Sequence, residues 1–181
     1  MGKTYPAIDA RLSGFILAQP VFFVATAPLD PAGHVNCSPK GNRDDFAVLG
    51  DHRVAYRDLT GSGVETIAHL RENGRIVVMF CSFDGPPRIV RLHGHGEVVA
   101  HGHPEFDSLV GRFPEKPGFR AVIAIDVERI SDSCGYGVPL MTFESHRSNI
   151  DHWAETKGPE GLVAYQTEKN AASLDGLPGL P

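Results

Sequence analysis

This sequence has few cysteines, no long hydrophobic run and no block of basic residues. Its three cysteines, Cys37, Cys81 and Cys134, are odd in number and share no paired spacing, so they give no disulfide framework. We expect reduced thiols and therefore a cytoplasmic protein. The longest apolar stretches, such as residues 76–80 and 121–125, are far too short to span a bilayer.

Charge and composition are those of an ordinary globular chain. The formal net charge is −5 and no basic tail is present, so a nucleic-acid partner has no electrostatic support. Hydrophobic residues make up 41% and charged residues 22% of the 181 positions, which is typical of a globular protein with a buried core. We expect one large domain, or a domain with a small appendage, and no membrane partner.

Hydrophobic periodicity predicts a β-rich chain with helices inserted at a few points. Strands are expected at residues 21–27, 34–38, 46–49, 53–56, 75–82, 88–92 and 119–127. Helices are expected at residues 8–17, 66–73, 104–113, 144–157 and 159–169. Gly74 is a candidate C-cap, and Gly94 and Gly96 suggest a bulge or bend before residues 97–100. Six or so strands joined by short turns indicate a small barrel with helical additions.

Two segments carry the chemistry, residues 36–41 (NCSPKG) and residues 56–66 (YRDLTGSGVET). The first ends a strand and has the Ser38 hydroxyl two positions before Lys40. The second leaves another strand through a Gly-Ser-Gly turn and enters a helix. Free N–H groups at a helix start bind anions, and a lysine adds a mobile positive charge suited to phosphate. The sequence therefore predicts a phosphate-bearing ligand between two strand ends and a helix start.

The order of these motifs resembles the pyridoxamine 5'-phosphate oxidase-like flavoproteins, the FMN-binding split-barrel group. The likeness covers roughly residues 20–135 and is most specific over residues 58–80 and 85–94, while residues 133–139 (SCGYGVP) look like a subfamily marker. The resemblance implies a mainly β fold with added helices (α+β), a six-stranded split β-barrel that dimerises. Residues 1–135 would form the flavin-binding domain with its N-terminal helix, and residues 136–181 a helical extension packed on the same domain.

The resemblance also implies which residues hold the cofactor. Lys40 matches a lysine that contacts the flavin and its ribityl or phosphate region, and Tyr56 and Arg57 match a pair that lies along the cofactor. The loop and helix start at residues 62–66 match the place where family members bind the phosphate. The full set of cofactor-binding residues implied is Asn36, Ser38, Lys40, Tyr56, Arg57, Ser62, Gly63, Thr66, Arg88 and Ser133.

The helix start departs from the oxidase proper. That enzyme has adjacent arginine and lysine residues where Glu65 and Thr66 stand in this chain. Hydroxyls and backbone amides would then replace two cations, and Lys40, with Arg57 or Arg88, would balance the phosphate charge.

Four histidines, His93, His95, His101 and His103, invite a zinc interpretation. They lack an obvious carboxylate or thiolate partner, so we expect no metal and interpret them as strand-surface or interface residues. Cys37 has no identifiable base and is interpreted as a small buried residue rather than a nucleophile.

The resemblance implies an FMN-dependent oxidoreductase that acts on an unidentified small-molecule substrate, with the cofactor at the interface of a homodimer. The flavin performs hydride or electron transfer while the protein binds and orients it, so no catalytic acid or base is singled out. Alternatives are the same barrel with a deazaflavin or a tetrapyrrole (heme), a non-catalytic flavin-binding or sensory module, and a dimeric scaffold with an empty groove.

Overall fold

One curled antiparallel sheet forms the body of the molecule, and helices cover it at a few points. The computed structural model describes residues 2–180. The strands are β1 (Thr4–Tyr5), β2 (Val21–Thr26), β3 (Asn36–Gly41), β4 (Phe46–Gly50), β5 (Arg53–Leu59), β6 (Arg75–Cys81), β7 (Ile89–Val99) and β8 (Phe119–Ser133). The helices are α1 (Ala10–Ala18), α2 (Glu65–Asn73), α3 (Phe106–Val110) and α4 (Asn149–Lys169).

The sheet has the strand order β3-β2-β6-β7-β8-β5-β4, and β1 pairs with β8. Its two edge strands, β3 and β4, are consecutive in the chain and separated only by residues 42–45. A link this short spans at most about 15–18 Å, so the edges lie near each other and the sheet must curl. Two ring pairs meet across the interior, Phe22 with Phe46 at 5.0 Å and Phe46 with Phe80 at 5.1 Å between centroids.

The burial pattern follows from the curl of the sheet. In β2 every second side chain points inward, and Phe22 and Val24 are buried. The middle of β8, residues 121–125, is buried on both faces, because a second hydrophobic cluster that includes Leu109 and Phe113 covers its outer side. The mainly β fold with added helices is therefore confirmed. The described residues form eight strands, against the six or so expected for the barrel. Seven of them, β2 to β8, overlap the seven segments predicted as strands, and the two-residue β1 left no signal in the sequence.

Local chemistry explains where several elements begin and end. The Asp9 carboxylate accepts a hydrogen bond from the Leu12 N–H at 2.7 Å and so caps α1. Gly74 ends α2 in the left-handed conformation with φ of +70°, which confirms the expected C-cap. The expected bend in β7 is confirmed as a register shift between His93 and Gly94.

Several boundaries differ from those expected, and three of them matter for the site and its surroundings. β3 continues through Pro39 to Gly41 instead of ending at residue 38, because an edge strand tolerates the missing N–H of proline. α3 covers residues 106–110 rather than 104–113, and α4 begins at Asn149 rather than near residue 144. The expected break between two C-terminal helices lies at Gly158, which has φ of +65° and precedes Pro159. No helix in the described part of the chain is long and apolar enough to cross a membrane.

Candidate functional site

A cavity of about 630 Å³ opens where β3 and β5 end and α2 begins. Its other side is formed by Ser145, His146 and Arg147, which precede α4, and by Ile150 in the first turn of α4. Glycines 41, 61 and 63 line it and leave the backbone accessible. The cavity brings together these cofactor-binding residues expected from the sequence: Asn36, Ser38, Lys40, Arg57, Gly63 and Thr66.

A hydrogen-bond network fixes the polar wall of the cavity. The Asn36 amide donates to the hydroxyls of Thr26 at 3.1 Å and Thr66 at 3.0 Å. The Ser38 hydroxyl donates to the Asn36 side-chain oxygen at 2.8 Å. The Thr26 hydroxyl also lies 2.9 Å from Nδ1 of the buried His69. These contacts join β2, β3 and α2, so the Ser38 and Thr66 hydroxyls are held in place beside the cavity.

A buried carboxylate positions two of the cations at the cavity. Asp58 is fully buried, 3.0 Å from Lys40 Nζ and 2.6 Å from Arg120 Nε. Burial alone would raise the pKa of this carboxyl, but the charges of Lys40 and Arg120 outweigh burial and lower the pKa. Asp58 is therefore ionised near neutral pH and holds both side chains at the cavity wall.

Arg57 is neutralised in a second ion-pair cluster. Its Nε lies 2.7 Å from Asp45, and its other nitrogens contact Asp45 and the Pro114 carbonyl. Lys116 lies between Asp45 at 3.8 Å and Asp151 at 3.3 Å. The Arg57 side chain is only 4% exposed, so its charge is already balanced within the protein. Arg57 therefore contributes little to the net charge that a phosphate would meet.

The net charge around the cavity is weakly positive. The described cations that line it are Lys40, Arg57, Lys116, Arg120 and Arg147. The carboxylates on its wall or paired to those cations are Asp45, Asp58, Glu65 and Asp151. Arg147 is one of the described cations that line the cavity, and its side chain makes no hydrogen bond or ion pair with the described residues. One positive charge in excess suits a ligand that carries an anionic group.

Glu65 opposes such a ligand at the helix start. A side chain at Gly63 would place its Cβ 2.3 Å from a Glu65 carboxylate oxygen, which shows how closely this carboxylate lies against the loop. Val64, the N-cap of α2, gives no side-chain cap. The first N–H groups of α2 are therefore available to an acceptor other than a capping side chain, although the Glu65 carboxylate lies nearby.

The other expected residues lie outside the cavity wall. Tyr56 is fully buried beneath it, with its ring centroid 5.9 Å from Lys40 Nζ, and burial raises its pKa well above the ordinary value. The Ser62 side chain is exposed. Arg88 pairs with Asp132 at 3.2 Å and Ser133 accepts a hydrogen bond from Arg91 at 3.0 Å. Those two contacts join β8 to the start of β7, away from the residues that line the cavity.

A second cavity of about 530 Å³ shares Arg57 and Lys116 with the first. Its wall is mostly apolar and includes Val110, Phe113 and Phe119. Within the described residues, no three His, Cys, Asp or Glu side chains are grouped as metal ligands would be. Of the four histidines noted in the sequence, His103 lies 3.1 Å from Glu97.

Three cations of the cavity, Arg120, Lys116 and Arg147, were not predicted from the sequence. Arg120 is 62 residues from Asp58 in the chain, and nothing in the local pattern of β8 marks it as part of a site. Lys116 and Arg147 lie in irregular segments without a motif. Only the pairing of β5 with β8 brings Arg120 beside the residues of the YRD motif.

The family model described as pyridoxamine 5'-phosphate oxidase matches residues 8–134. A curated relative from Aspergillus flavus, the pyridoxamine 5'-phosphate oxidase family protein ustO, is 45% identical over 97% of this chain and 77% of its own length.

Solved structures show the same fold. The HupZ protein of Group A Streptococcus matches with a TM-score of 0.54 and 25% identity, over 70% of this chain and 99% of its own. An FMN-binding protein from Syntrophomonas wolfei has a TM-score of 0.50 and 17% identity, over 66% and 82%. An FAD-binding protein from Mycobacterium smegmatis has a TM-score of 0.51 and 13% identity, over 70% and 96%.

Proposed function

Since the chain belongs to the pyridoxamine 5'-phosphate oxidase family, we propose that it is an FMN-dependent oxidoreductase that acts on a small-molecule substrate. Two proteins that share its fold are named for binding FMN and FAD, which supports a flavin as the cofactor. The cavity at the start of α2 is the place in this chain that suits one.

The observation that carries the proposal is the convergence of anion-binding groups in one cavity. Lys40, the Thr66 hydroxyl and the uncapped start of α2 face the same space. Lysine, hydroxyl and helix N–H groups together are a set of donors that suits a phosphate. The cavity volume of about 630 Å³ lies within the roughly 300–1,000 Å³ that is common for small-molecule sites.

Each residue has a role in this proposal. Lys40 and the start of α2 hold the phosphate, and Asp58 keeps Lys40 in position through the 3.0 Å ion pair. Backbone groups around residues 36–38 and 56–57 hydrogen-bond the ring and the ribityl chain. Flavin, when bound, supplies the hydride or electron transfer. We assign no catalytic acid or base, because none of the cavity residues stands out for proton transfer.

We also propose that the active protein is a homodimer with the cofactor at the subunit interface. Tyr136 is 83% exposed and Leu140 is 81% exposed, in the irregular segment between β8 and α4. Large apolar side chains exposed to this degree on one segment are typical of an interaction surface. The same segment continues to Ser145 and Arg147 at the cavity, so a second copy seated here would reach the cofactor.

The absorption spectrum of freshly purified protein, before and after addition of FMN, tests the cofactor. A bound flavin spectrum is the expected result, whereas a deazaflavin or heme spectrum would support one of the alternative cofactors. Reduction of the bound flavin by a nicotinamide donor, followed by reoxidation with added acceptors, tests the catalytic part. A protein that binds FMN but neither accepts nor passes on electrons would be a flavin-binding module instead.

A further inference from the structure

The loop that follows β5 accepts hydrogen bonds from the end of α4 and from Arg120 of β8. The Asn170 side-chain amide donates to the Gly61 carbonyl at 3.0 Å. Arg120 Nη1 donates to the Gly63 carbonyl at 2.9 Å. The Gln166 amide donates to the Thr60 hydroxyl at 2.7 Å. Two donors from outside the loop therefore hold its carbonyls at residues 61 and 63, and a third holds the Thr60 side chain.

Asn170 is the centre of this anchor. It is fully buried, and its side-chain oxygen accepts a hydrogen bond from Arg120 Nη1 at 2.9 Å. Arginine only donates and a carbonyl only accepts, so these two partners fix which end of the amide is oxygen. The Asn170 carbonyl accepts the Leu180 N–H at 2.8 Å, so the C-terminal tail folds back over the same residue.

The tail packs directly against Asn170 and leaves no room for a side chain at Gly179. A Cβ at Gly179 would lie 2.2 Å from the Asn170 carbonyl oxygen, and Arg71 of α2 donates to the Gly179 carbonyl. Asn170 is therefore in contact with the loop, β8 and the tail at the same time. Its side chain can act on the loop as a fixed support.

The anchored carbonyls determine where the loop N–H groups point. In a trans peptide the C=O and the following N–H point in opposite directions. With the Gly61 and Gly63 carbonyls bound to Asn170 and Arg120, the N–H groups of Ser62 and Val64 point away from these two residues. Within residues 2–180 neither N–H has an acceptor, while Gly61 and Gly63 line the cavity.

We infer that Asn170 is a positioning residue that pre-shapes the loop at residues 61–64 to receive the phosphate of the cofactor. This inference rests on the proposed FMN site and assigns a cofactor-binding role to the C-terminal extension. Asn170 itself does not touch the ligand. It binds the Gly61 carbonyl directly and supports Arg120, which binds the Gly63 carbonyl. Both carbonyl oxygens are thereby turned away from the phosphate, and two N–H groups are left free to bind it.

The test compares FMN with riboflavin, which has the same ring and ribityl chain but no phosphate. Dissociation constants for both are measured by quenching of flavin fluorescence in the full-length wild type, Asn170→Ala, Asn170→Asp and the control Thr167→Ala. Thr167 is exposed on the same turn of α4, and its hydroxyl bonds only the Val163 carbonyl. Asn170→Asp keeps the size of the side chain and the acceptor for Arg120, but it places an oxygen opposite the Gly61 carbonyl.

We expect the wild type to bind FMN about a hundredfold more tightly than riboflavin, because FMN makes two or more hydrogen bonds through its charged phosphate that riboflavin cannot make. Both Asn170 variants should weaken FMN about tenfold and leave riboflavin unchanged, and Thr167→Ala should change neither. If Asn170→Ala does not fold, Asn170→Asp carries the test alone.

Equal losses for FMN and riboflavin, or no loss for either, would overturn the positioning role while leaving the FMN site in place. A wild type that binds FMN no better than riboflavin would overturn the proposed phosphate site and this inference with it. The two failures are therefore distinguishable in one set of titrations.

Discussion

At the scale of single residues, the cavity depends on charges that are already partly balanced. Asp58 holds Lys40 and Arg120, and Asp45 holds Arg57. The protein therefore presents fixed donors with little excess charge. A phosphate bound here gains its affinity from positioned N–H, hydroxyl and ammonium groups more than from a strong positive field.

Glu65 is the residue that should oppose the cofactor phosphate most directly. We predict that Glu65→Gln tightens FMN binding about fivefold, because removing a like charge at a partly solvated site is worth about 1 kcal/mol. Glutamine keeps an oxygen that can accept the Leu174 N–H, as the carboxylate does at 3.3 Å. Glu160→Gln, at an exposed position of α4, is the control. Unchanged or weaker FMN binding in Glu65→Gln would place the phosphate elsewhere.

His69 should make the stability of the fold depend on pH. It is fully buried, and its Nε2 has no hydrogen-bond partner. Burial lowers the pKa of this imidazole, although the carboxylates of Asp175, Glu65 and Glu72 partly oppose the shift. The unfolded chain then binds a proton more readily than the folded protein, so folding is favoured at higher pH.

We therefore predict that the free energy of unfolding falls as the pH drops below about 6.5, the ordinary histidine value. The decrease should continue until the pH reaches the folded pKa. Urea denaturation at pH 7.5 and pH 5.5, of the wild type and His69→Gln, measures it. The variant should lose less stability on acidification than the wild type. The same pH dependence in both proteins would assign the effect to other groups.

At the scale of elements, the sequence was enough to predict those parts of the site that depend on residues close together in the chain. The Ser38–Lys40 segment and the Gly-Ser-Gly turn were predicted to share a site, and they line one cavity. Arg120 and Asn170 could not be predicted, because their positions depend on strand pairing and on the fold of the tail. The early start expected for α4 was wrong, since residues 139–148 hold no regular structure.

Two glycines in helical contexts should respond in opposite ways to alanine. Gly74→Ala forces φ of +70° on a residue with a Cβ, and this Cβ would also lie 2.0 Å from the His95 ring. We therefore predict that the free energy of unfolding falls by roughly 1–3 kcal/mol. Gly14 is an exposed residue in α1 with no atom near a built Cβ. Gly14→Ala should stabilise the protein by about 0.5–1 kcal/mol. Urea denaturation of both variants checks the signs, and a neutral Gly74→Ala would contradict the C-cap assignment.

At the scale of the whole molecule, the split-barrel family fold expected from the sequence is confirmed by the family match and by structures with the same fold. The dimer remains a proposal, and it was implied by the resemblance rather than by any pattern of residues. In a single chain, the sign of a contact with a second chain is a set of exposed apolar side chains. Tyr136 and Leu140 are such residues.

We predict that Leu140→Asp shifts the protein from dimer to monomer and weakens FMN binding together with assembly, because a charge is then buried in an apolar contact. Light scattering after size exclusion measures the mass. Val163→Asp, at a position of α4 that is 63% exposed, should leave the mass unchanged. A wild type that is monomeric at all concentrations would contradict the proposed assembly.

The dissociation constant of FMN in Lys40→Met tests the proposed phosphate site, because Lys40 is the cation that we place against the phosphate. Methionine keeps the apolar stem. The control Lys169→Met, at the exposed end of α4, removes the same charge from a side chain that pairs with Glu168 and does not line the cavity. We predict that Lys40→Met binds FMN roughly ten to a hundred times more weakly than the wild type and that Lys169→Met binds it as the wild type does. Equal FMN affinity in all three proteins would contradict it.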